Sequence, residues 1–273
     1  MPGFEDASTL AELFTQSAAR FGARPMLGER PLLKVEQLES PRSGRKHERR
    51  AQGAYAWTSF AQAFEQASAF GAGLRALGLP RGSVVALFAD TSPHWFLAAY
   101  GAFLVGLSVA TVYTSLGAKG VEHALAGCGA AAVVTDAAGV RLLSATAAAA
   151  DAPRIVLLPP RGADTRAADA DAAQAKAALP EGKPVHTWSE ALAAGDAADA
   201  SCRTPPTAKD VALIMFTSGS TGTPKVRAAL RMSNTRSLTT EAASRRRVCC
   251  SRTARSSPPW RASWSGTRTR RAA

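Results

Sequence analysis

"IMFTSGSTGTPK", Ile214 to Lys225, is the place where an apolar strand runs into a loop built of glycine, serine and threonine. Gly219 and Gly222 allow the backbone to come close to an anion and to adopt positive φ. Thr217, Ser218, Ser220, Thr221 and Thr223 set hydroxyl donors beside the backbone N–H groups, a nest suited to polyphosphate. Pro224 ends the loop, and Lys225 adds a point charge able to reach a terminal phosphate.

The spacing G-x-x-G-x-x-K is not G-x-x-x-x-G-K-[ST], so a Walker-type ATPase is disfavoured. A flexible Gly/Ser linker fits no better, because a strand leads directly in and Pro-Lys leads out.

Upstream, strands and helices alternate. "STLAELFTQSAARFG" (8–22) reads as a helix with Thr9 and Glu12 at capping-box spacing and Gly22 as its stop. Residues 39–53 are charged and aperiodic and read as an exposed loop. Tyr55 to Trp57 read as a short strand, with Thr58 capping a helix that runs to Gly78. "SVVALFAD" (83–90) is a buried strand, and Ser92 and Pro93 open the next helix as cap and first residue. Strands follow at 108–113, 130–136 and 154–159, separated by helices at 118–128 and 137–150, and a last strand at 208–216 delivers the glycine loop. Short apolar strands separated by helices imply an α/β fold: a parallel sheet flanked by helices. Residues 159–200, rich in Ala and Asp apart from "VHTWSEAL", read as a loosely packed insertion.

Composition narrows the partners. Of 33 basic and 21 acidic side chains, 12 arginines and one acid, Glu241, lie after Lys225, so the rest is near neutral at +1. The basic excess belongs to residues 226–273, which contain no Lys and show no apolar period, and charge of that kind argues only weakly for nucleic acid. Cys128, Cys202, Cys249 and Cys250 form no CxxC pair, which supports neither zinc nor a disulfide framework and points to a reducing, intracellular setting. No signal peptide and no membrane-spanning run is expected. The basic stretch Arg42 to Arg50 is open to anionic lipid, although Glu48 within it favours plain solvation. His94 and His123 read as structural rather than as catalytic bases.

The loop resembles, position for position, the phosphate-binding signature of the adenylate-forming superfamily. "YAWTSF", "FGAGLRALGL", "VVALFADTSPHWFLAAYGAF", "VYTSLGAKGVEHAL" and "AKDVALIMFTSGSTG" are similar, in order and spacing, to the amino-terminal part of eukaryotic-type long-chain acyl-CoA synthetases. The likeness covers most of residues 9–225. It implies the amino-terminal subdomain of such an enzyme, with ATP, magnesium and coenzyme A as cofactors and a fatty acid as substrate. It also implies a cytoplasmic setting or the surface of an endoplasmic reticulum-type membrane. Thr217 to Lys225 are the family's phosphate-binding residues; no catalytic residue and no metal ligand carries over. A nucleotide- or nucleic-acid-binding protein using the basic tail is the alternative.

After Lys225 the resemblance stops. The family's later motifs, which hold magnesium, ribose and the catalytic Lys of a lid, find no match, and the chain as written is expected not to complete catalysis. Back-translated with Arg261 as CGN and Ser265 as AGY and read one base earlier, Ser257 to Ser265 give a segment compatible with the family's "PLAHxxE" at every position but the His. A shifted reading frame of a GC-rich gene accounts together for the Arg excess, the missing Lys and the lost periodicity. Residues 1–225 are therefore expected to fold, and 226–273 to form a truncated protein's weakly ordered tail.

Overall fold

A computed structural model describes residues 6–39, 44–146, 154–160, 172–179, 183–218 and 224–231. All of them belong to one unit, residues 1–236.

The chain enters through α1 (Leu10–Phe21), with the expected capping box. Glu12 N donates to Thr9 Oγ1 at 3.0 Å, and Glu12 Oε2 accepts from Ser8 N at 2.6 Å and Thr9 N at 3.2 Å. β1 (Pro25–Glu29) pairs antiparallel with β4 (Ala56–Ser59), and between them β2 (Leu32–Glu39) pairs with β3 (Lys46–Gln52). The exposed loop expected over 39–53 is thus half of a hairpin. Every residue of β3 is exposed, so its pairing rests on backbone hydrogen bonds and left no burial pattern to read. Thr58 remains in β4, opposite Leu27, and Ser59 caps α2 (Phe60–Ala76) in a box with Gln62.

The main sheet follows: β5 (Val84–Phe88), α3 (Pro93–Leu104), β6 (Ser108–Thr111), α4 (Ala118–Cys128), β7 (Ala130–Thr135), α5 (Ala137–Ser144), β8 (Ile155–Leu157), β9 (Val185–Thr187), α6 (Trp188–Asp196), β10 (Val211–Ser218) and β11 (Pro224–Arg231). Seven strands lie in the order β11-β10-β6-β5-β7-β8-β9, parallel throughout except for the β10–β11 pair. Ser92 Oγ accepts from Trp95 N at 3.1 Å with Pro93 behind it, as expected of that cap.

Alternation along the strands divides the core into two layers. Val85, Leu87, Val109 and Val134 face Phe14, Phe70, Leu74, Leu97 and Trp188 of α1, α2, α3 and α6. Ala86, Phe88, Ala110 and Val133 face Val121 and Leu125 of α4 and Leu143 of α5. The parallel sheet flanked by helices is therefore the observed fold.

Two expectations need correction. The second half of 159–200 is not loosely packed: β9 extends the sheet, and α6 closes the first core layer with Trp188 stacked on Phe70 at 4.2 Å between ring centroids. The sequence there is poor in large apolar residues because the packing uses small ones. A Cβ on Gly73 of α2 would collide with the carbonyl oxygen of Ala191, and one on Gly195 with that of Ala69. Nor does ordered structure stop at Lys225, since β11 runs on to Arg231 against β10.

Candidate nucleotide-phosphate site

β10 lies parallel to β6, with Leu213 opposite Val109 and Met215 opposite Thr111. Its carboxyl end therefore comes out beside those of β6, β5 and β7, the edge at which open α/β sheets bind ligands. Ala212 and Phe216 anchor the strand in the core. β11 then folds back, pairing Thr217 with Lys225 and Ser218 with Pro224. Of the nine predicted residues, Thr217, Ser218, Pro224 and Lys225 are placed by their backbone at the two ends of this hairpin. Gly219, Ser220, Thr221, Gly222 and Thr223, which join them, lie outside the described residues.

The other end of β10 is tied down by contacts that sequence reading did not find. Ser108 Oγ donates to Val211 O at 2.7 Å, joining β6 to β10. Arg81 Nη2 pairs with Asp210 Oδ2 at 2.6 Å, and the same oxygen accepts from Thr207 N at 2.7 Å. The Thr207 N–H, helped by the Arg81 guanidinium, holds the Asp210 carboxyl below its ordinary range. Arg81 and Asp210 are 129 residues apart, and no local pattern links them.

Polar groups line the same carboxyl edge. Thr114 Oγ1 donates to Asp90 Oδ1 at 2.9 Å beyond β5, and Asp136 caps α5 by accepting from Gly139 N at 2.8 Å. His94, at the start of α3, meets Trp188 edge-on at 5.2 Å, and burial lowers its pKa, so the ring is a neutral packing group at pH 7. Burial also pushes the Cys128 thiol up to about 11, which leaves it unreactive. Among the described residues no group of three or more His, Cys, Asp or Glu side chains converges. These residues thus offer no cage for magnesium, which binds chiefly through substrate phosphates and one or two carboxylates.

The family described as "AMP-binding enzyme" matches residues 40–249, most of the chain and past Lys225. Long chain acyl-CoA synthetase 8 of Arabidopsis thaliana is 31% identical over 223 residues, covering 81% of this chain and 30% of that protein. Long-chain-fatty-acid–CoA ligase 1 of Schizosaccharomyces pombe is 26% identical over 235 residues, covering 81% and 33%. Among solved structures, the A domain of carboxylic acid reductase from Segniliparus rugosus, in complex with AMP and a co-purified carboxylic acid, superposes with a TM-score of 0.64. It is 20% identical, over 84% of this chain and 36% of that one, a likeness of fold. The chain belongs to the AMP-binding enzyme family. It spans about a third of the length of these curated relatives.

Proposed function

We propose that this chain supplies the phosphate-binding portion of an ATP-dependent long-chain fatty acid–CoA ligase. In the first step a carboxylate oxygen of the fatty acid attacks the α-phosphorus of ATP. The bond to the β-phosphate oxygen breaks, and pyrophosphate leaves from an acyl-adenylate. In the second step the coenzyme A thiol, losing its proton, attacks the acyl carbonyl, and AMP departs to leave the thioester. Residues Thr217 to Lys225 act electrostatically in the first step. Backbone N–H groups and hydroxyls hold the β and γ phosphates, and the Lys225 ammonium offsets the charge that develops on the leaving pyrophosphate.

The observation that carries this reading is the β10–β11 hairpin, which sets Thr217 opposite Lys225 at the carboxyl edge of a parallel sheet. Titration of ATP with magnesium into the 273-residue chain tests it. Saturable binding is expected, and Lys225→Ala should weaken it about tenfold or more, as for loss of a charge-assisted hydrogen bond to phosphate. Binding that Lys225→Ala leaves unchanged contradicts the assignment.

We also infer that the Arg-rich segment beyond Lys225 is read in a shifted frame. Its composition supports this, and the β11 pairing is no obstacle, because backbone groups make an antiparallel ladder whatever the side chains. The family match extending to residue 249 weighs against it. A transcript sequenced across the Lys225 codon decides the matter: an unbroken frame encoding this segment overturns the inference.

A further inference from the structure

Six of the eight large apolar side chains exposed among the described residues fall in one short stretch: Leu32, Leu33, Val35, Leu38, Tyr55 and Trp57. Concentrated apolar exposure marks an interaction surface. The hairpin that carries four of them packs on itself and, beyond isolated contacts, on no other element. A lone two-stranded hairpin is marginal in water, so this one is built for an environment that covers it.

Geometry and charge select the environment. Val35 faces the same side as Arg50, while Leu38 faces the other side with His47. A flat protein partner would cover one face and leave the other wet, whereas a lipid interface surrounds an inserted hairpin on both. Two of the hairpin's acids are already held, Glu36 by Lys34 at 2.7 Å and Glu48 by Arg50 at 3.0 Å. Arg45, Lys46 and Arg49 are exposed and make no ion pair among the described residues.

At the hairpin's base Arg30 donates to Gly53 O at 2.8 Å and to Gln52 O at 3.0 Å, and its guanidinium lies 5.7 Å from the centre of the Tyr55 ring. Tyr55 in turn stacks on Trp57 at 5.4 Å. The aromatic pair is thereby fastened to the hairpin. Exposed aliphatic side chains, interfacial Tyr and Trp, and unpaired cations together match the chemistry of an anionic bilayer surface. No helix among the described residues is long and apolar enough to cross a membrane, so this would be contact at the surface.

We propose that the β2–β3 hairpin, with Tyr55 and Trp57 at its base, docks this protein on anionic phospholipid. The inference stands whether or not the ATP reading does. Its test is sedimentation of the full 273-residue chain with vesicles of phosphatidylcholine alone and of phosphatidylcholine with phosphatidylserine at about two to one. The expected result is preferential pelleting with the anionic vesicles, lowered about tenfold in partition coefficient by Lys46→Glu with Arg49→Glu.

The arginines beyond Lys225 also attract anionic lipid, so the hairpin needs a readout of its own. Brominated acyl chains should quench tryptophan emission, and Trp57→Phe should remove most of that quenching. Val35→Asp should weaken pelleting while leaving the helical circular dichroism intact, because the hairpin supports no other element. Equal pelleting of hairpin variants and the unchanged chain, or quenching indifferent to Trp57→Phe, overturns the proposal. So does a dimer in solution that Trp57→Ala converts to monomer, which would assign the patch to a second copy of the chain.

Discussion

The layer formed by α2, α3 and α6 and the hairpin of β2 and β3 are opposite solutions to the use of side chains. In the helical layer backbones approach so closely that Gly71, Gly73, Gly101 and Gly195 leave no space for a Cβ, and Trp188 is stacked on Phe70 and buried. In the hairpin nearly every side chain is in solvent, and the strands are joined by the ladder and by one exposed side-chain bond, from Gln37 Nε2 to Glu48 Oε1 at 3.1 Å. The first arrangement converts any change of volume into strain, whereas the second transmits almost none. Stability should therefore reside in the helical layer and sheet, leaving the hairpin free to vary for another purpose.

Substitutions can break that contrast. Trp188→Ala should cost about 3–5 kcal/mol in urea unfolding, because it empties the aromatic site between α2 and α6. Gly73→Ala should cost about 1–3 kcal/mol, since the new methyl must push Ala191 and its helix outward. A smaller effect belongs to the cap of α1, where Thr9→Ala should lose about 1 kcal/mol.

The α1 cap is also sensitive to acid. Hydrogen bonds from Ser8, through its side chain and its N–H, and from the Thr9 N–H hold the Glu12 carboxyl below its ordinary 4.5. Its contribution is therefore present above pH 4.5 and fades as pH falls through the lowered value in the folded state. The gap in urea midpoint between the unchanged chain and Glu12→Gln should narrow steadily as pH is lowered from neutral through the acid range. Least of all, Gln37→Ala in the hairpin should stay within about 0.5 kcal/mol of the unchanged chain. A loss of more than that would show that the hairpin supports the fold.

The same contrast explains what could be read from the sequence. Elements whose signals are local were legible: the Thr9/Glu12 capping box, Ser92 followed by Pro93, the alternation of apolar strands with helices, and the strand β10 that leads to Thr217 and Ser218. β3 was not, because a strand exposed on both faces has no period of burial to display. α6 was not expected to pack tightly, because its contribution depends on the smallness of Gly73, Ala191 and Gly195, and smallness reads as an absence of core. Thr58 was taken for the cap that Ser59 provides, a difference of one residue set by how far β4 pairs with β1. The pairing of Arg81 with Asp210 and the bond from Ser108 to Val211 join distant segments, so only the folded chain brings them together.

The central claim is that Thr217 to Lys225 receive the phosphates of ATP. Hydrogen exchange of the full 273-residue chain, with and without ATP and magnesium, tests it most directly. Slowed exchange confined to the peptide spanning 214–226, and abolished by Lys225→Ala, is the predicted result. Nucleotide-dependent protection elsewhere, with this peptide unchanged, would contradict it.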